Sequence, residues 1–401
     1  MVYMAGDNNL STAGENDLEE MRRVGSSDAV NVLVEFDNAG ARGTNRYLVR
    51  RNGVGERLEA MGETDSGDPR TIVDFIAWAA KEYPAERTAL ILWNHGGGWE
   101  PSEIDRIARS VSSTRYTARE AGQRAASPLG KVFFRTTLET ILGLASPDER
   151  AICSDDGSGH SLDTVELGKV LEQAVRLLGR PIDLLGMDAC LMSNLEVAYQ
   201  VRPYVRYLVA SEENEPNDGW PYHTLLKKLV KEPSLATPEL AAAIVETYVR
   251  SYEDQGYPGP VTLAALNLSH IDQVVEPLDE LADALSASLP ERAHELWTAQ
   301  RGAAHFWHNT LWDIAHFCEQ LEKGAGSGAV RKAALRVRRA LQPSEGGFVL
   351  AEAHRGEKVS RCCGVTIYLL PPLAGISRYY GQLAYAKGHR WASMLEAYHA
   401  A

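Results

Sequence analysis

The residues of this chain best suited to covalent chemistry are a histidine and a cysteine, each placed just after an apolar run. His95 follows the run at 88–94, and Cys190 follows the run at 181–187. A cysteine attacks as a thiolate, and a neighbouring imidazole can take its proton and pass it to a leaving group. Either residue alone is more often structural. The two together at strand ends favour a nucleophile, Cys190, with its general base, His95.

Short apolar runs between helical segments are typical of buried strands in a parallel sheet. Runs at 2–5 and 30–36 flank a stretch of helical spacing at 9–24, and a second helical stretch at 68–83 precedes the run before the histidine. This alternation predicts an α/β fold whose mostly parallel central sheet is covered by helices on both faces. The carboxyl ends of parallel strands meet at one edge, where ligands bind, so the histidine and the cysteine are expected to lie there.

The chain is long enough to bury a sizeable core, with 401 residues of which 44% are hydrophobic. We predict a core domain at 1–265 that is interrupted by a basic insertion at 100–150, rich in Arg, Ser, Thr and Ala. Residues 266–401 are expected to form a mainly helical elaboration with a late strand at 364–370, packed on the core. One enlarged domain or two domains fit the length equally well.

Composition excludes several classes of protein. The net charge of −13 argues against a nucleic-acid binder, which would carry a basic excess. The five cysteines are odd in number and include no CxxC pair, so they indicate a reducing compartment rather than a disulfide framework or a zinc site. No apolar run approaches the roughly 20 residues of a membrane span. No export signal precedes the first strand, so we expect a cytoplasmic protein if Met1 is the native start, and a secreted one if the chain was trimmed.

Three further residues near the predicted edge could serve a reaction at a carbonyl group. The N–H of Gly96, together with the amide of Cys190, could bind an oxyanion, although a flexible turn is the plainer interpretation. Asp188 could lie at the base of a specificity pocket and pair with an Arg or Lys side chain of a substrate. Asp218 could add a second anion, but a solvated turn residue in its Asn-Asp-Gly context is equally favoured.

A metal requirement is not predicted. Oxygen ligands for calcium are conceivable after two of the strands, but caps and turns explain these side chains better. The residues concerned are Asp7, Asn8, Asn9, Asp155 and Asp156. We therefore expect no required cofactor, with calcium as the one ion left open.

Six segments spread over nearly the whole chain carry a resemblance to a known family. They are 2–10 (VYMAGDNNL), 91–99 (ILWNHGGGW), 183–192 (DLLGMDACLM), 210–220 (ASEENEPNDGW), 311–317 (LWDIAHF) and 364–368 (GVTIY). In these segments the chain resembles the clostripain family of cysteine peptidases, within the caspase-like clan. The His-Gly and Asp-Ala-Cys segments are specific in combination.

The resemblance implies a caspase-like α/β/α sandwich and a dyad of Cys190 and His95. It also implies an endopeptidase that cleaves after Arg or Lys through a thioester, with Asp188 and, less closely matched, Asp218 in the pocket for that side chain. The partners would be peptides or proteins with Arg or Lys at the cleaved bond. By analogy we expect a triggered role, in bacterial signalling or defence.

Such enzymes are often precursors that are activated by cleavage between the histidine and cysteine strands. Here that region is the basic insertion at 100–150, which is longer than the family leads one to expect. A cut by the enzyme itself or by an upstream protease would fall at one of its basic residues. The candidates are Arg106, Arg109, Arg115, Arg119, Arg124, Lys131 and Arg135. The alternative is a disordered spacer that is not processed.

Two other functions remain open on the sequence. One is a non-catalytic interaction module on the same scaffold, although such a module needs neither the cysteine nor the histidine. The other is a transpeptidase, which would use the same dyad to pass the acyl group to an amine.

Overall fold

The structure, a computed structural model, describes residues 1–39, 43–96, 98–99, 152–155, 160–306, 310–324, 328–371, 375–377 and 379–401. The strands within these ranges are β1 Val2–Gly6, β2 Leu33–Asn38, β3 Gly43–Leu48, β4 Arg57–Gly62, β5 Ala89–Trp93, β6 Ile152–Asp155, β7 His160–Leu162, β8 Ile182–Asp188, β9 Val205–Ala210, β10 Val261–Asn267, β11 His305–Phe306, β12 Leu311–Asp313, β13 Val349–Arg355 and β14 Thr366–Tyr368.

The helices of the same ranges are α1 Ser11–Arg22, α2 Pro69–Glu82, α3 Thr164–Leu178, α4 Leu195–Val201, α5 Tyr222–Lys231, α6 Thr237–Asp254, α7 Asp272–Ser286, α8 Ala293–Gly302, α9 Ile314–Lys323, α10 Gly328–Ala340, α11 Ala384–Gly388 and α12 Trp391–Ala400. Local sequence sets several of their ends. Asp68 caps α2, where Pro69 occupies the first turn, and α3 begins at a capping box between Asp163 and Glu166. None of the described helices is long and apolar enough to cross a membrane.

One large mixed sheet forms the centre of the described molecule. Its strand order is β13-β10-β9-β8-β5-β1-β2-β3-β4. The five strands from β9 to β2 run parallel, and antiparallel strands extend the sheet at both edges. The apolar runs predicted as buried strands are therefore central strands of the parallel part.

Helices cover both faces of this sheet, as the alternation of strands and helices predicts. Side chains of β8 alternate between two hydrophobic clusters: Leu185 packs with α2, α3 and the helices after residue 270, whereas Leu184 packs with α1, α5 and α6. The α/β/α sandwich is thereby confirmed.

Two strands of the large sheet were not predicted from the sequence. β4 is largely exposed and lacks an apolar alternation, and β13 is half-buried along most of its length. β13 pairs antiparallel with β10, so the residues after 266 contribute an edge strand to the central sheet in addition to their helices. The predicted strand at 364–370 is present as β14, in a separate small sheet with β12. The division of the chain at residue 265 stays a prediction.

Candidate active site

Strand register brings the histidine and the cysteine to the same edge of the sheet. β5 and β8 are parallel neighbours, and Trp93 pairs with Asp188 at their carboxyl ends. His95 and Cys190 each lie two residues beyond this pair. The backbone N–H of Asn94 donates to the carbonyl of Asp188 at 3.3 Å, so the two strand ends remain in contact as they leave the sheet.

Gly96 lies directly against the backbone of Cys190. A Cβ at this position would be 2.1 Å from the carbonyl oxygen of Cys190 and 2.9 Å from its nitrogen. Only glycine allows so close an approach. The N–H of Gly96 also interacts with the Cys190 thiol and lowers its pKa. The predicted oxyanion donor is thus located beside the sulfur.

The thiol of Cys190 is partly buried and bonded to the backbone of Glu215. The N–H of Glu215 donates to Sγ at 3.3 Å, and Sγ lies 3.8 Å from the carbonyl oxygen of the same residue. Burial raises the pKa of the thiol above its ordinary value, the amides of Glu215 and Gly96 lower it, and the charge of Asp188 raises it. Because burial is the largest effect, the thiol needs a base to form the attacking thiolate.

The turn that follows the cysteine is strained. Leu191 has φ of +64°, a left-handed conformation that a side chain with a Cβ rarely adopts. Its N–H donates to the carbonyl of Glu213 at 3.2 Å, and its side chain is buried. These contacts hold a conformation that costs about 1–3 kcal/mol, a cost that is common where a reactive side chain must be presented at a sharp turn.

Asn9, on the loop between β1 and α1, bonds to the imidazole of His95. Its Oδ1 lies 2.7 Å from His95 Nε2. An amide oxygen accepts hydrogen bonds, so this contact favours the tautomer that carries its hydrogen on Nε2, with Nδ1 as the basic nitrogen of a neutral ring. The neighbouring Asn8 donates to Asn94 Oδ1 at 3.2 Å, and Asn94 donates to the carbonyl of Ala5 at 2.6 Å. These bonds fix the loop after β1 against the loop after β5.

Asp188 is buried behind the cysteine and firmly held. Its Oδ2 accepts a hydrogen bond from the Tyr222 hydroxyl at 2.7 Å and another from the Trp220 N–H at 3.2 Å. Burial raises the pKa of Asp188 to about 6, against the effect of these bonds. The carboxyl group of Glu215 lies beside it, and burial followed by the charge of Asp188 raises the pKa of Glu215 as well.

Asp218 is exposed and lines a cavity of about 330 Å³ between α1, the loop at 217–221 and the end of α6. Asp17 and Glu20 of α1 line the same cavity. Asp188 lies immediately behind it, since a Cβ on the lining residue Gly219 would be 3.2 Å from both of its carboxylate oxygens. The two acids predicted for a pocket therefore border one acidic cavity from different sides.

The remaining predictions concern the cleavage candidates, the calcium candidates and the other cysteines. All of the candidate cleavage positions between Arg106 and Arg135 lie outside the described residues, as does Asp156. Asn8 accepts the N–H of Leu10 at 2.8 Å, a turn contact of the kind favoured above over a calcium ligand. Cys190, Cys318, Cys362 and Cys363 are free thiols.

Three functional contacts were not foreseen from the sequence. These are the bond of Asn9 to the histidine, the bond of the Glu215 amide to the sulfur, and the burial of Asp17. α1 buries Gly14, Asp17, Leu18 and Met21, but a carboxylate in a helical pattern is assigned to the solvent face, so no sequence signal pointed to Asp17. The other two depend on loops that meet only in the folded chain.

The site has a cysteine at the carboxyl edge of a parallel sheet, with the backbone amides of Gly96 and Glu215 beside its sulfur. A histidine follows the neighbouring strand at the same edge. This arrangement is that of a cysteine peptidase of caspase-like architecture. The model of the clostripain family, Peptidase C11, matches residues 2–115 and 140–396, so this chain belongs to the clostripain family of cysteine peptidases. The resemblance inferred from the sequence is confirmed.

Individual relatives are more distant. Clostripain of Hathewaya histolytica is 27% identical over 231 residues, which cover 51% of this chain and 35% of that protein, about a third of its length. A secreted C11 cysteine protease of Bacteroides thetaiotaomicron, in complex with an irreversible peptide inhibitor, is 19% identical with a TM-score of 0.62, over 98% of this chain and 97% of that one. An inactive zymogen C11 protease of Parabacteroides distasonis is 18% identical with a TM-score of 0.62, over 98% and 96%. These structures share the fold.

Proposed function

We propose that this protein is a cysteine endopeptidase that cleaves after Arg or Lys by means of Cys190 and His95. The observation that carries the proposal is the pairing of Trp93 with Asp188, because His95 and Cys190 each follow two residues later at the same edge of the sheet. The acidic cavity next to Asp188 supports a basic side chain as the group recognised. Membership of the clostripain family supports a peptide bond as the bond that is cleaved.

The geometry supports a two-step acyl transfer. Sγ of Cys190 attacks the carbonyl carbon of the scissile bond while its proton passes to Nδ1 of His95. The N–H groups of Gly96 and Cys190 donate to the oxyanion that forms. As the tetrahedral intermediate collapses, the C–N bond breaks and His95 protonates the leaving amine. Water, deprotonated by His95, then hydrolyses the thioester, which releases the acid and restores the thiol.

A panel of short fluorogenic peptides tests the proposal directly. Peptides that are identical except for Arg, Lys, Leu or Asp before the reporter group are incubated with the intact chain and with the chain nicked within 100–150. We expect release only from the Arg and Lys peptides. Turnover of the Leu or Asp peptide at an equal rate would contradict the proposed specificity. No turnover of any peptide after nicking would contradict the proposed activity.

Activation by cleavage within 100–150 is a separate part of the proposal. The basic residues of that stretch precede peptide bonds of the type that this enzyme would cut. A distant relative of the same fold is an inactive zymogen. Mass spectrometry of active protein is expected to find two associated fragments. An unbroken chain with full activity would show that processing is not required.

Replacing Asn9 with alanine is expected to lower kcat about 10-fold with KM little changed, because the imidazole loses the partner that fixes its orientation and tautomer. The contact is solvent-exposed, which limits the effect. Steady-state kinetics with the Arg peptide measure it. Asn31→Ala, which removes an exposed amide before β2, is the matched control and should behave as wild type. Equal kcat for the two variants would exclude Asn9 from a positioning role.

A further inference from the structure

The buried face of α1 carries an acidic side chain. Asp17 is 4% exposed and lies in the stripe that packs α1 onto the sheet, next to Leu18 and Met21. Its Oδ2 accepts a hydrogen bond from Trp93 Nε1 at 2.7 Å, and Trp93 is the last residue of the strand that leads to His95. Burying an acid here is unfavourable unless a cation or further donors complete its surroundings.

Asp17 and Asp188 face the same small space. A Cβ at Gly219 would lie 3.3 Å from Asp17 Oδ2 and 3.2 Å from either carboxylate oxygen of Asp188. The nearest oxygens of the two carboxyl groups are therefore no more than 6.5 Å apart. Gly219 has φ of +55°, so glycine is favoured here both by conformation and by the room it leaves.

The cavity that opens onto this space is acidic. Asp17, Glu20 and Asp218 line it, and its described lining residues include no lysine or arginine. Its volume of about 330 Å³ is at the lower end of the range for small-ligand sites and suits a single extended side chain. The lining therefore supplies acidic groups and, among its described residues, no basic side chain to pair with them.

The pKa of Asp17 agrees with this geometry. Burial, and then the charge of Asp188, raise the pKa of Asp17 to about 9, against the bond from Trp93. At neutral pH the isolated carboxyl group thus holds a proton. A bound cation would stabilise the carboxylate and lower this pKa, so binding at neutral pH should release a proton. The titratable groups that face Asp17 are Asp188, Glu20, Asp218, Tyr222 and Tyr252.

We propose that Asp17 is a specificity-determining residue whose carboxylate binds the guanidinium of a substrate arginine, with Asp218 at the mouth of the same cavity. The inference rests on the peptidase activity proposed above and adds the residue that favours Arg over Lys. A planar guanidinium presents N–H groups along more than one edge and can bond to acids on two sides at once, whereas an ammonium is a compact point charge.

The kinetic test compares Arg, Lys and citrulline peptides on wild type and Asp17→Asn. Citrulline has nearly the shape of arginine without its charge. We expect kcat/KM for the Arg peptide to fall about 100-fold, mainly through KM, and that for the citrulline peptide to change less than about threefold. Asparagine still accepts the Trp93 N–H, and the melting temperature verifies folding. Glu59→Gln, which removes an exposed charge on β4, is the control.

An equal fall for the Arg and citrulline peptides would mean that Asp17 is only structural and would overturn the proposal. No fall for either peptide would overturn it as well. If the wild type cleaves Arg peptides in either case, the proposed activity survives while the role of Asp17 does not.

A binding measurement separates the pocket from catalysis. Benzamidine, a small amidinium ion, is titrated into wild type, Asp17→Asn and Glu59→Gln by calorimetry in two buffers of different ionisation enthalpy. We expect proton release with wild type and Glu59→Gln, and an affinity at least about 10-fold weaker without proton release for Asp17→Asn. If benzamidine binding depends on Asp17 but the protein cleaves no peptide, the proposed pocket stands and the proposed peptidase activity is wrong. No binding by wild type would overturn the pocket.

Discussion

Replacing Cys190 with alanine is expected to lower kcat for the Arg peptide by about 10⁴-fold or more, since the bond-forming sulfur is removed. His95→Ala should cost a similar factor, because burial raises the pKa of the thiol and its attack requires a base. The double variant should be no slower than either single one, because removing either residue already disables the dyad and removing the second costs no further activity. Steady-state kinetics on the nicked proteins measure all three.

The matched controls are Cys362→Ala, which removes another free thiol, and His294→Ala, which removes an exposed imidazole on α8. Both should retain wild-type kcat. Losses for Cys190→Ala and His95→Ala that multiply in the double variant would show that the two residues act independently and would contradict a dyad. Intact mass of Cys190→Ala adds a second result: an unbroken chain, where wild type is cleaved within 100–150, would assign processing to the enzyme itself.

The parts of the fold that could be predicted are those whose burial is symmetric. β5 and β8 are covered by helices on both faces, so each is a nearly continuous apolar run that needs no knowledge of its neighbours. β4 is exposed and β13 is half-buried, and neither has a pattern that distinguishes it from a loop. Their existence depends on pairing with β3 and β10, which is a property of the folded sheet.

The residues of the site likewise differ in how far they could be predicted from the sequence. His95 and Cys190 could be found because a strand end is visible in the sequence and its carboxyl edge is where ligands bind. Asn9 and Glu215 could not, because each reaches the dyad through a loop whose path is set by long-range contacts. Asp17 was hidden differently. A carboxylate within a helical pattern is assigned to the solvent face, and here α1 is turned so that it faces Trp93.

Gly96 is the position where the smallest change should have a large effect. A methyl group here would lie 2.1 Å from the carbonyl oxygen of Cys190, a distance that real Cβ contacts essentially never reach, and its nearest neighbours are all backbone atoms of that residue. No rotation of a side chain relieves such a clash, so the backbone of Gly96 or of Cys190 must move. Either movement displaces the N–H that interacts with the thiol.

Gly96→Ala is therefore expected to lower kcat about 10²–10³-fold, the usual cost of losing one oxyanion donor, with a smaller change in KM. Gly328→Ala is the matched control: it adds the same methyl group at the start of α10, where no atom of the described residues lies within 4 Å, and should leave kcat unchanged without lowering the melting temperature. Iodoacetamide labelling of Cys190 reports separately on the sulfur and should show that the thiol of Gly96→Ala is still accessible. A kcat within about threefold of wild type would mean that the Gly96 amide does not face the reacting carbonyl, and the oxyanion site would have to be sought elsewhere on the loops that surround Cys190.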